Sequence, residues 1–185
     1  GYFDRSVSLC RKAGFRKIRL RGDTDFSQTK HLDRWDDDDV DFVFGMDAMP
    51  NLVDIAENLP NSAWNELKRK PKTATKPKKT RAKRPNFKQR FVVEKKYKNK
   101  ILEQEFVAEF DYSPTACKHT YRMVVLRKHV KVMKGQQKLF DDTPYFFYIT
   151  NLPKKVTPQK VVAESNSRCD QENIIAQGKA MGALS

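Results

Sequence analysis

The stretch "KIRLRGDTDF", residues 17–26, decides how the chain is read. Ile18 and Leu20 alternate with Lys17, Arg19 and Arg21, the period of two expected of a strand with one buried face. Gly22 ends the run and Asp23 follows directly, which is where an α/β sheet places its site residues. Upstream, "FDRSVSLCRKAGF" puts Phe3, Val7 and Cys10 on one side of a helix over 3–14, with Gly14 as its C-cap. Downstream, the pattern predicts a helix from about Ser27 to Asp37, the strand "VDFVFGM" at 40–46 and a short helix around 50–58. Helix–strand–helix–strand–helix is the rhythm of an α/β layer.

After residue 65 the rhythm changes. "QRFVVEKKY", "ILEQEFVAEFDY" and "HTYRMVVLRKHVKVM" are β-rich, turn-separated and without helical periodicity, and read as an antiparallel patch inserted into the layer. "YFFYITNLP" at 145–153 returns as an apolar strand suited to the middle of a sheet. Thr157 as N-cap and Pro158 at the first helical position open the last helix. The expected division is 1–64 and 141–185 as the layer, 65–90 as an arm and 91–140 as the β-rich insertion.

Charge points to the partner. The 185 residues carry a net +14, and residues 66–100 hold sixteen Lys or Arg against two Glu, which accounts for all of it. The centre, "KRKPKTATKPKKTRAKRP", lacks apolar periodicity and is expected to be a mobile arm. Its Lys76, Lys78, Lys79, Arg81, Lys83 and Arg84 are candidate DNA contacts, neutralising phosphates and releasing counterions without reading sequence. A solubilising linker or a nuclear-import signal shares that composition. The longest apolar run, "YFFYI", is far too short to span a bilayer, and no signal-peptide pattern opens the chain. Three scattered cysteines form no C-x-x-C pair, so reduced thiols and a cytoplasmic setting are expected. The three histidines show no metal spacing and read as packing or surface residues.

Near the end, "RCDQENIIAQGK" at 168–179 sets Arg168, Glu172 and Lys179 at about 0°, 40° and 20° around a helix axis, one narrow stripe. Such a stripe is either a solvated ion pair or an acid between two cations facing a phosphate. Asp23 and Glu172 are the carboxylates placed to hold Mg²⁺, which prefers oxygen ligands. "LRGDTDF" at 20–26 resembles the R-x-D-[ST]-x-F segment around the second catalytic Asp of DDE transposases from bacterial insertion sequences. "RCDQENIIAQGK" is similar to their Y-x2-R-x3-E-x6-K signature, and "YFFYITNLP" to the strand before their glutamate helix.

The resemblance implies a partial ribonuclease H-like, retroviral-integrase-like core with two Mg²⁺ or Mn²⁺ ions. It also implies cleavage and strand transfer at transposon ends, a homodimer assembled on DNA, and association with the bacterial nucleoid. Asp23 and Glu172 would be metal ligands and catalytic acids; Arg168 and Lys179 would contact phosphates. Two departures stand out: Ser165 occupies the signature tyrosine's place, and no early strand carries the family's first acid. Asp4 falls in a helical pattern and Asp47 comes too late in chain order to replace it, so the chain is expected to be a fragment, inactive alone. Asp25 fits a turn or helix cap, and Asp36 to Asp39 a solvated turn. Trp35, Trp64 and the aromatic run Tyr145 to Tyr148 read as core, although the run has the chemistry to stack bases and Trp64, beside the basic segment, is placed to touch DNA. The alternative from another class is a non-catalytic, basic nucleic-acid-binding protein.

Overall fold

A computed structural model describes residues 1–24, 28–68, 98–134 and 137–166. The protein is mixed α/β, with helices Tyr2–Lys12 (α1), Leu32–Asp37 (α2), Pro50–Glu57 (α3) and Pro158–Asn166 (α4). The strands are Ile18–Gly22 (β1), Val40–Met46 (β2), Asn65–Glu66 (β3), Lys98–Tyr112 (β4), Tyr121–Lys134 (β5), Gln137–Asp142 (β6) and Tyr145–Thr150 (β7). Their hydrogen-bonded order is β1-β2-β7-β5-β4-β3, with β6 on β5. β1 and β2 run parallel, Ile18 opposite Val40 through Gly22 opposite Phe44. β7 pairs antiparallel to β2, from Val43 opposite Thr150 to Met46 opposite Phe147. The sheet is therefore mixed.

Local chemistry explains the boundaries. α1 closes with Ala13 as C-cap, and Gly14 follows at φ +87°, a conformation cheap only for glycine. Of the helix expected from about Ser27, Ser27 itself lies outside the described residues, Thr29–His31 form a 3₁₀ turn and α2 runs from Leu32. Of Asp36 to Asp39, expected as a solvated turn, Asp36 and Asp37 instead close α2 and only Asp38 and Asp39 form the exposed turn, Asp39 taking the left-handed φ of 53° that Asp tolerates. Pro50 starts α3 at a position where its missing N–H costs nothing.

The chain falls into two compact units. The first comprises residues 1–65, 107–126 and 145–185, and it contains the main core. Phe42, Phe44 and Met46 of β2 and Phe147 and Ile149 of β7 point to one face, joined by Val7, Leu32, Trp35, Leu52 and Ala56 of the first three helices. Burying each large side chain stabilises by about 1.5–3 kcal/mol, which outweighs the ~0–1 kcal/mol of an exposed ion pair. Trp35 is core as read from the sequence, its ring 5.6 Å from Phe44 and its indole N–H donating to Asp4 at 3.0 Å. Alternation sends Val43 to the other face, where α4 packs on β2 and β7 through its own buried residues Val161 and Val162.

The second unit comprises residues 66–106 and 127–144. Within it β5 and β6 pair antiparallel with a bulge after Val132. Lys128 lies 3.8 Å from Glu105, Lys131 pairs with Glu103, and Phe106 packs edge-on against His129. β4 and β5 each supply residues to both units.

Candidate functional site

Asp23 leaves the carboxyl end of β1 as the sequence predicts, and the structure brings a second acid beside it. Asp23 follows Gly22, so it stands level with Gly45 of β2. Two residues on, hence on the same face, Asp47 follows the end of β2. Gly45, level with Asp23 and two residues before Asp47, has no side chain of its own. A Cβ there would sit 3.3 Å from the Thr24 backbone nitrogen and 3.5 Å from the Asp23 Cα, so any larger residue would require the chain at Asp23–Thr24 to give by a few tenths of an ångström.

Above that glycine lies a cavity of about 470 Å³, lined by Asp23, Asp47, Phe146, Tyr148, Ser165 and Asn166 among others. All of these residues belong to the first unit. Ser165 and Asn166 are the last described residues of α4. Two arginines of β1 fix that end of the helix. Arg19 bridges Asp41 at 2.8 Å and Glu164 at 2.6 Å, and Arg21 donates to the Glu164 carbonyl at 3.0 Å. Burial works against the charged form of Arg19, yet its bonds to the two carboxylates leave the pKa raised. The hollow over Arg19, Asp41 and Glu164, about 370 Å³, is lined by groups already paired with one another.

The chain matches no family model, no curated protein and no solved structure. Function must be argued from the site itself. Glu172, Arg168 and Lys179 lie outside the described residues, as do Asp25 and the arm cations Lys76, Lys78, Lys79, Arg81, Lys83 and Arg84. Asp4, set aside because it reads as helical, is in α1 and is bonded to Arg34 and Trp35. Asp47 was excludable only as a replacement for an earlier acid. Chain order hides that the ends of parallel neighbouring strands meet in space. The signal that finds it is an acid just past an apolar strand that pairs with the strand of Asp23.

The aromatic run divides. Phe147 and Tyr148 are buried, and Tyr145 packs against Trp64 and Phe147, as core residues do. Phe146 alone is 40% exposed. The histidines behave as read: His31 packs on Trp35 and His129 on Phe106. His119 lies 3.3 Å from Asp36 and 3.8 Å from Asp37. Next to it Asp33 accepts from the Lys118 and His119 amides and the Tyr121 hydroxyl, which together hold its carboxyl below the usual range. Burial, then Asp33, pushes the Cys117 thiol up to about 11 and Tyr121 higher still. Groups locked in those forms tie the 113–120 connection to α2; they are not poised for proton transfer.

Proposed function

We propose that this chain carries part of the catalytic core of a DDE transposase, a ribonuclease H-like domain that cuts and joins DNA phosphodiesters with divalent metal. The observation that carries the reading is the convergence of Asp23 and Asp47, from the carboxyl ends of two parallel strands, on a cavity walled by the end of α4. The parallel β1–β2 pair beside antiparallel β7, with helices on both faces, supports the ribonuclease H-like assignment. So does the sequence beyond α4, which runs on to Arg168, Glu172 and Lys179.

The donor set suits the metal that the family resemblance implies. Every polar group named at the cavity is an oxygen donor or an amide, with neither thiolate nor imidazole, which selects a hard cation. Among the described residues no cluster of three or more His, Cys, Asp or Glu could hold an ion. Two carboxylates are enough for Mg²⁺, which keeps several waters and takes substrate phosphate oxygens as ligands. Bound there, it would activate the attacking oxygen and stabilise the leaving one. Asp23 and Asp47 hold the cation in this reading, and Asn166 and Ser165 hydrogen-bond the nucleotide beside it. Arg168 and Lys179 take phosphates, and Glu172 supplies a third carboxylate. Asp47 is an addition to the family pattern.

The test is metal affinity. Mn²⁺ binding followed by electron paramagnetic resonance, with Mg²⁺ as competitor, should be saturable. It should weaken in Asp23→Ala by at least the ~10–100-fold typical of changes just outside a metal's ligands. Equal affinity in the variant would leave only a basic nucleic-acid-binding protein.

A further inference from the structure

Among the described residues, the three most exposed large apolar side chains all lie on or just past α1: Tyr2 at 90%, Leu9 at 65% and Phe15 at 62%. The inner side of α1 is spent on the core through Val7 and Phe3. Its outer side carries Tyr2, Ser6, Leu9 and Ala13, all exposed and spaced by four, three and four residues, which is the alternation of a coiled-coil seam. The Ser6 hydroxyl already donates to the Tyr2 carbonyl at 3.0 Å, so covering the seam leaves that donor satisfied. Phe15 follows at the helix end. Its amide donates to the Cys10 carbonyl and that of Gly14 to the Arg11 carbonyl, both at 3.0 Å, the Schellman pattern that fixes a helix terminus. The Phe15 ring is therefore exposed on a fixed backbone, not on a frayed one.

We propose that the outer side of α1 is a docking surface for an acidic amphipathic helix of another protein. Charge selects that partner. Arg5 and Lys12 each stand one residue before a small seam residue, the position from which a coiled coil chooses its partner by charge. Arg16 and Lys17 add two cations beyond Phe15, and Asp4, the one acid of residues 1–17, is already bonded to Arg34 and Trp35. A second α1 would set these cations against their own kind, and a polyanion would leave the apolar side chains bare. A helix with carboxylates beside Arg5 and Lys12 and an apolar stripe on Tyr2, Leu9 and Phe15 satisfies both sets of groups. At the start of α1 a hollow of about 250 Å³, lined by Tyr2, Phe3, His31 and Trp35 among others, receives one of its larger side chains. None of these residues lines the cavity of Asp23 and Asp47, so the surface is independent of the transposase reading.

The probes are two labelled synthetic helices of about three heptads with Glu at every e and g position, one carrying Leu at a and d and the other Gln. Fluorescence anisotropy with the full chain in moderate salt reads both. The two probes carry the same charge, so the basic segment attracts them equally and only the difference between them reports on the seam. The wild-type chain should bind the Leu helix about tenfold more tightly. Leu9→Gln should abolish that preference with its thermal melt unchanged, because Leu9 is already exposed. Arg5→Glu together with Lys12→Glu should transfer the preference to a Leu helix with Lys at e and g. Equal binding of the two acidic helices by the wild-type chain would overturn the docking surface, and so would a preference that survives Leu9→Gln. Weaker duplex DNA binding by the Arg5→Glu, Lys12→Glu chain with no change in its choice of helix would overturn it too, and would make this face a nucleic-acid surface.

Discussion

Asp33 shows how much one half-buried carboxylate can organise. It accepts from the Lys118 amide at 2.6 Å and the Tyr121 hydroxyl at 2.6 Å, and the His119 amide lies 3.4 Å away. These donors favour the charged form, so its folded pKa is below the value of about 3.9 for an unfolded Asp. A group depressed on folding contributes stability that is present above the unfolded pKa and lost as pH falls through the folded one. The loss therefore develops below about pH 4. Asp33→Asn should flatten that acid limb and cost about 1–2 kcal/mol at neutral pH, where the charge-assisted bonds are gone. In a chain of this size that corresponds to roughly 2–8 °C in Tm. Thermal melts of both proteins from pH 7 to pH 3 measure it; parallel curves would mean that Asp33 has no part in the acid response.

Among the elements, α4 is held both by its own apolar residues and by β1. Val161 and Val162 bury one side of the helix, but its described end is held by Arg21 on the Glu164 carbonyl and Arg19 on the Glu164 carboxylate. Arg21→Met keeps the aliphatic stem and removes the donor. Amide exchange over 158–166 should then speed up by about fivefold, the equivalent of one ordinary hydrogen bond. Exchange at the wild-type rate would show that the valines suffice. β1, β2 and β7 were legible in the sequence because their alternation and apolar runs leave no helical reading. The parallel pairing of β1 with β2 was implied only by the helix between them. The sharing of β4 and β5 between two units was not legible, since periodicity fixes a strand's faces and not its neighbours. Asp23 was legible from its place after a strand. Asp47 required the sheet order.

For the whole molecule, charge and fold are separate devices. Residues 66–100 carry the entire net charge, and the remaining 150 residues, which supply the core and the candidate site, balance to zero. Polyelectrolyte attraction should therefore be removable without touching the cavity. Replacing Lys76, Lys78, Lys79, Arg81, Lys83 and Arg84 with Gln removes six positive charges. If all six meet phosphates, the slope of log affinity against log salt should fall by roughly five, since each neutralised phosphate of duplex DNA contributes about 0.9. Mn²⁺ affinity at the proposed Asp23–Asp47 site should change little, because none of the six replaced residues is a ligand in that reading. Fluorescence anisotropy of a labelled duplex from 50 to 300 mM salt gives the slope. A slope that does not move would make residues 76–84 a spacer without a part in DNA binding.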